Sequence, residues 1–357
     1  MLKPLKTTGL ETIARSPSSL LEAHESNSQA AKPPQVAQAE YAEAVTDLFR
    51  HAGWKETRGR VAASLKRVNA PVSRVMAFLA CGYQAFLARS VDDPSRYKIT
   101  GSGCRDRFCI PCARDRARVI GENVVDFLGN TPTRFLTLTL KHTDSPLTTQ
   151  LDRLYNAFNA LRRRRIFSDN VTGGMACLEV VYNHRGEWHP HFHCLLHGAY
   201  LPHKELRKAW FDITTDSFVL DIRMAQGHAD VVRYVCKYVS KAFTGSISRE
   251  PDKLDELVKA LRGRKMVLTF GTWRELKTTA EPNEGKWEYV CTLTELAERA
   301  KRQAGEWLAI LRTVAPYTAD AILALIPECT EHPPPPPLDR RLVDQPFLID
   351  CCRTVTF

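Results

Sequence analysis

The chain has 357 residues, 44% of them apolar and 25% charged, the balance of a soluble globular protein with one large or two modest domains. Its formal charge of +10 favours a polyanionic partner, because clustered Lys and Arg bind phosphates and release their counterions. No apolar run reaches the length of a membrane span, since the best, residues 75–88, is broken by Cys81, Gly82, Tyr83 and Gln84, and no apolar signal core follows Lys3 and Lys6.

Residues 1–40, rich in Ser, Ala, Gln, Pro and Glu, read as a disordered arm. Residues 41–130 read as a helical segment, with a basic stretch at 54–66, running into a Cys-bearing segment from Cys81 to about Arg118. The block 131–275 alternates between periods. Strands are predicted at 133–141, 175–182, 188–197 and 218–224, and helices at 149–166, 203–211 and 229–243. The loop 183–187, with Gly186, reads as a hairpin turn between the second and third strands. Strand–helix–strand–strand–helix–strand is a split βαβ order. It predicts an α+β fold, a ferredoxin-like (RRM-like) antiparallel sheet with helices on one face. A further strand is predicted at 266–270 and a helical region in 276–330; residues 331–357 form a tail in which Pro333 to Pro337 are extended.

His189-Pro190-His191-Phe192-His193 is the most informative stretch. Residues two apart on a strand point the same way, so the three histidines share a face while Phe192 enters the core. A hairpin pairing Tyr182 with Trp188 sets Glu179 directly opposite His191. Glu179, His191 and His193 then form a candidate metal site with mixed oxygen and nitrogen ligation, suited to Mn²⁺ or Mg²⁺ and open to a phosphate oxygen. The alternative is a His-rich structural strand; His197 shares the parity but lies farther along and reads as structural. Downstream, Tyr234 and Tyr238 are one helical turn apart, and Lys241 falls on the same side. A phenol, with a pKa of about 10, needs a polarised electrophile and nearby positive charge to act as a nucleophile. Taken alone, such a pair is more often packing.

Eleven cysteines with no export signal predict a reducing, cytoplasmic setting. Cys109 and Cys112 have the spacing that presents two thiolates to one ion, and Cys104 and Cys81 can complete a four-sulfur set; the alternative is a Cys-rich loop without metal. Cys177, Cys194 and Cys236 read as core thiols. Arg105, Arg107, Arg114 and Arg116 beside the knuckle, and the run Arg162, Arg163, Arg164 and Arg165, are candidate DNA-backbone contacts or else ordinary solvated faces.

Three stretches together resemble the HUH endonucleases that initiate rolling-circle replication: Phe135-Leu136-Thr137-Leu138-Thr139, His191-Phe192-His193, and the run from Tyr234 to Lys241, in that order. The resemblance implies a palm that binds single-stranded origin DNA. It makes Glu179, His191 and His193 the metal ligands, Tyr238 the nucleophile that forms a 5′-phosphotyrosine link, and Lys241 an assisting cation. The freed 3′-hydroxyl would prime a host DNA polymerase. With no phosphate-binding G-x-x-x-x-G-K-[ST] run in the chain, a host helicase is expected as well. Many plasmid initiators carry Glu four residues before the nucleophile; here Tyr234 stands there, as in phage initiators and rolling-circle transposases, and implies termination by a second tyrosine attack. The Cys segment resembles the one preceding the catalytic domain of many plasmid initiators, which implies structural Zn²⁺. Two other readings stand beside this one: a two-tyrosine transposase, and a non-catalytic nucleic-acid-binding protein with a zinc knuckle.

Overall fold

The computed structural model describes residues 34–128, 132–183, 185–239, 247–278, 286–303 and 305–326. Most of the arm expected at 1–40, the Pro-rich tail and Lys241 lie outside the described residues.

Helices α1 (Pro34–Arg50), α2 (Lys55–Arg67) and α3 (Val72–Leu79) lead into the strands β1 (Phe86–Ser90) and β2 (Tyr97–Thr100), followed by α4 (Ile110–Leu128). Next come β3 (Thr133–Thr139), α5 (Leu147–Arg162), α6 (Arg165–Ser168), β4 (Val171–Tyr182), β5 (Trp188–Gly198), α7 (His203–Thr214), β6 (Leu220–Met224) and α8 (His228–Val239). The chain continues through α9 (Pro251–Ala260), β7 (Val267–Gly271), β8 (Trp287–Thr292), α10 (Leu293–Gln303), α11 (Gly305–Val314) and α12 (Ala319–Ala324). Among the described residues, no helix is long and apolar enough to cross a membrane.

The larger sheet has the order β6-β3-β5-β4-β7, with every neighbouring pair antiparallel. Its first four strands in chain order therefore lie 4-1-3-2, the arrangement expected of a split βαβ unit, and β7 extends it at one edge. The β4–β5 hairpin pairs Tyr182 with Trp188 and Glu179 with His191, the register that the sequence anticipates. At the far end of the hairpin β7 closes against β4 through Gly271. Its φ of +60° and the approach of the Thr172 carbonyl leave no room for a Cβ.

One face of the sheet buries Leu136, Leu178, Phe192 and Leu196 against Leu151, Leu154 and Phe158 of α5 and Trp210 of α7. This is the expected helical layer. The opposite face is covered too. Phe135, Met175, Cys177 and Leu195 pack under Ile120 and Val124 of α4 and Val231 and Val235 of α8. Helices therefore stand on both faces, rather than on one as the element order predicts. The reason is visible in the strands themselves: β4 from Gly173 to Val180 is buried without alternation, as in a strand covered on two sides.

Local pattern also misses a smaller sheet, β2-β1-β8, inside what reads as a helical and Cys-bearing stretch. Leu87 of β1 and Cys291 of β8 share a core with Val45 of α1, Leu296 of α10, Leu311 of α11 and Ile322 of α12. Parts of the segments read as 41–130 and 276–330 thus bury one common apolar interior.

Candidate active site

β4 and β5 run side by side near the centre of the sheet, and α8 crosses the face that carries their outward row. Phe192 anchors the row from behind, its ring fully buried with centroids 5.1 Å from both Tyr155 and Phe158. Burial of such a ring is worth about 2–3 kcal/mol, enough to fix which way its neighbours His191 and His193 point.

Glu179 Oε2 lies 2.7 Å from His191 Nε2 and 2.9 Å from His193 Nε2. All three side chains are buried, at 5%, 8% and 6% exposure, so the cluster sits at the bottom of the face rather than on an open surface. Both rings are oriented from behind. His191 Nδ1 donates to the His189 carbonyl at 3.0 Å, and His193 Nδ1 stands 3.3 Å from Thr137 Oγ1. Such contacts hold Nε2 toward Glu179 and toward any cation bound there. Burial, opposed by the hydrogen bond with Glu179, lowers the His193 pKa below that of free imidazole and favours the neutral ring a metal requires. His189 is lowered as well, by burial and then by His191 and His142, but it lies one step outside the triad.

The two tyrosines of α8 occupy different environments. Tyr238 is partly exposed, its ring stacked on His193 with centroids 3.4 Å apart. Lys237 Nζ donates to the Tyr238 hydroxyl at 3.0 Å. Tyr234 is 8% exposed and stacks on Phe135 at 4.0 Å. Burial pushes its hydroxyl well above the ordinary phenol range; Cys194, Tyr238 and Cys177 raise it further and Thr137 opposes them. Sequence pairing of the two tyrosines by helical spacing is correct for their common side, but the sheet beneath admits only one of them to the site's mouth. Lys237 and Thr137 were missed. Thr137 had a signal, its place cross-strand from His193 in the Thr-Leu alternation; Lys237 had none, because one residue's offset on a helix normally points elsewhere.

The two groups of candidate arginines meet different surroundings. Arg105 and Arg114 are exposed, and Arg116 lies close enough to Cys177, cross-strand from His193, for each to influence the other's titration. Arg107 is committed to structure, donating at 2.9 Å to the carbonyls of Leu261 and Arg264 beyond α9. Arg162 lies on the opposite face of the sheet, its guanidinium 4.7 Å from the Phe270 ring centre. Arg163, Arg164 and Arg165 line a cleft of about 450 Å³ there with Ala209 and Asp212. That run precedes Val171, eight strand residues, or roughly 26 Å, from Glu179. One short strand of DNA cannot touch both groups without passing around an end of the sheet.

The four knuckle cysteines converge. Cys81 Sγ lies 3.6 Å from Cys109 and 3.5 Å from Cys112, and Cys104 lies 3.7 Å from Cys112. These separations are far too long for disulfides, which need about 2.05 Å. They match the edge of a tetrahedron of sulfurs around one ion with bonds of about 2.3 Å, roughly 3.8 Å. The surrounding sulfurs of Cys104, Cys109 and Cys112 hold Cys81 below the usual thiol range, while those of Cys109, Cys112 and Cys81 push Cys104 above it. Arg50 donates to Cys112 Sγ at 3.4 Å. Cys177 and Cys194 are core thiols, and Cys236 donates to the Ala117 carbonyl at 3.6 Å.

Compared with known families, residues 97–317 match the Rep_1 model, described as Replication protein, over more than half of the chain. No curated protein and no solved structure matches it.

Proposed function

The chain belongs to the Rep_1 family, plasmid replication proteins of the rolling-circle type, and on that premise we propose that it initiates replication by nicking one strand of origin DNA with Tyr238. The observation that carries this reading is the convergence of Glu179, His191 and His193 from two strands under the partly exposed ring of Tyr238, which arrives from a separate helix.

Glu179, His191 and His193 would hold a divalent cation, Mn²⁺ or Mg²⁺. Their ligand atoms lie within 4.8 Å of one another, and the mixed oxygen and nitrogen donors suit such an ion. When bound, the ion supplies Lewis-acid polarisation of a phosphate oxygen. Tyr238 Oη attacks phosphorus, the P–O bond to the departing 3′-oxygen breaks, the phenol proton leaves, and the 3′-oxygen takes up a proton. Lys237, in contact with the hydroxyl, favours the phenolate as it forms. The assisting role of Lys241 rests on the resemblance alone. Rejoining is the reverse attack of a 3′-hydroxyl on the phosphotyrosine. Arg105, Arg114 and Arg116 would bear on the bound strand's phosphates, and Zn²⁺ would fill the four-cysteine knuckle. A host helicase and polymerase complete the replication system.

Mixing the purified chain with single-stranded fragments of its own replicon and Mn²⁺ should give a covalent protein–DNA band on a denaturing gel, and a chelator should remove it. Binding without any metal-dependent band across the whole replicon would replace the enzyme with a non-catalytic DNA-binding protein.

The burial of Tyr234 favours packing over a second nucleophilic role, and so one attacking tyrosine rather than the exchange of two. Tyr234→Phe is expected to leave the rate of adduct formation within about threefold of wild type, because deleting one buried hydroxyl of poor bonding geometry removes little that the first cleavage uses. A loss comparable to that of Tyr238→Phe in a quenched time course would restore the two-tyrosine mechanism.

A further inference from the structure

The end of α1 is not used by the nicking chemistry, yet it packs against the four-cysteine knuckle. Asp47 and Arg50 stand in its last turn and His51 follows it, all ahead of the residues that match the replication-protein family, as Cys81 is too. Gly82 is where the two segments meet. Its φ of +85° turns the chain after Cys81, and a Cβ there would meet Arg50 Cδ at 3.0 Å and His51 Cε1 at 3.4 Å. Both side chains therefore press on the turn that carries Cys81.

His51 is 1% exposed. Its Nδ1 lies 3.2 Å from Asp47 Oδ1, and Asp47, buried in turn, is held by Lys55 at 3.2 Å. The other ring nitrogen, Nε2, is buried and makes no hydrogen bond. A buried polar nitrogen without a partner costs stability, and a histidine backed by a carboxylate is the arrangement that aims its far nitrogen at a metal centre. The knuckle is the centre within reach. Its own sulfurs lower the Cys81 thiol most, burial opposes them, and the neighbouring His51 ring lowers it further. Arg50 supplies a second donor: its Nη2 donates to Cys112 Sγ at 3.4 Å and is steadied by Asp115 at 2.9 Å. The charges agree with this arrangement. Four thiolates around one divalent ion carry a net charge of minus two, and Cys81, Cys109 and Cys112 are buried. Charge taken out of water needs donors or opposite charge beside it, and Arg50 and His51 bring both to two of the sulfurs.

We propose that Arg50 and His51 are hydrogen-bond partners of the metal-bound sulfurs, Arg50 donating to Cys112 and His51 Nε2 to Cys81, with Asp47 orienting the His51 ring, so that the end of α1 completes the knuckle and slows release of its ion. Neither residue touches the metal. Each is a positioning residue that acts through a sulfur. The inference rests on the reading of the four cysteines as a zinc site, and it extends that site to residues that cysteine spacing does not reveal.

The test compares the full chain with His51→Leu, His51→Gln and Arg50→Met. Zinc transfer to a chromogenic chelator gives the release rate, and exchange into Co²⁺ gives the sulfur-to-cobalt charge-transfer band. His51→Leu fills the space of the ring without a donor, whereas His51→Gln keeps an N–H near the position of Nε2. His51→Leu and Arg50→Met should each release zinc at least about tenfold faster, the scale on which loss of a ligand's hydrogen-bond partner is felt. Both should also move the band to lower energy, since a thiolate that loses a hydrogen bond gives up electron density more readily. His51→Gln should stay within about threefold of wild type, its band unmoved, because the donor is kept. A ring needed only for packing would leave the band in place in His51→Leu. Arg50, at 20% side-chain exposure, decides the matter if a change at the buried ring prevents folding. Wild-type release and an unmoved band in Arg50→Met, or in a folded His51→Leu, overturn the proposal while the zinc site stands. A wild-type chain that takes up neither zinc nor cobalt overturns the zinc site and the proposal with it.

Discussion

Tyr238→Phe should abolish the covalent protein–DNA band, lowering the rate of adduct formation by at least about 10⁴-fold, the scale on which loss of a catalytic nucleophile is felt. The substitution removes one oxygen and leaves the ring to stack on His193, so folding and DNA affinity should stay near wild type. Glu179→Ala should produce the same loss by another route. It leaves His191 and His193 without the carboxylate that both contact, and metal binding followed by calorimetry should weaken together with activity. The two variants differ in one readout: Tyr238→Phe keeps the metal and Glu179→Ala does not. If Tyr238→Phe still forms adduct at wild-type rate, the nucleophile lies elsewhere on the chain. Retained metal affinity in Glu179→Ala would mean that the cluster is a hydrogen-bonded structural feature.

The second large effect belongs to the knuckle. The purified chain should carry one equivalent of zinc, and Cys109→Ser should lose it and melt at least about 10 °C lower. Apparent zinc contributions in small sites reach about 10–16 kcal/mol, comparable with the whole stability of a domain at about 5–15 kcal/mol. At about 2.1 cal/mol/K per residue, a chain of 357 residues shifts by roughly 1.3 °C per kcal/mol, so a loss of about 8 kcal/mol within that range corresponds to roughly 10 °C. The loss spreads because the knuckle is tied on several sides: Asp106 to Arg74 of α3, Arg107 to the carbonyls beyond α9, and Cys112 to Arg50 of α1. A protein that binds no metal, with Cys109→Ser as stable as wild type, would return the cluster to a thiol-lined loop. Cys81, Cys109 and Cys112 share one apolar core with Leu178 and Phe192 of the sheet, so the loss should reach the strands that carry Glu179 and His191.

Much of the site was legible before any fold was known. The alternation of His189, His191 and His193 around Phe192, with the turn at Gly186, fixes a hairpin register and therefore the residue opposite His191. Strand periodicity and turn length are local properties, and they are sufficient for that step. The convergence of four cysteines was likewise half-written in the spacing of Cys109 and Cys112. What local pattern could not contain was decided in three dimensions. Strand β1 pairs with β8, about two hundred residues away, so no window on the sequence joins them. Only the packing of α4 and α8 shows that the second face of the sheet is covered, that Tyr234 is sealed against Phe135, and that Tyr238 alone reaches the opening. The arginine runs look alike as charge, yet Arg107 is held by the carbonyls of Leu261 and Arg264 while Arg162 lies over Phe270. Sequence by itself determined which side chains share a face of their own strand or helix, because strand and helix periods set the direction of each residue along its element. Tertiary structure decided which of them meet, because burial and solvent access depend on surfaces brought together from distant parts of the chain.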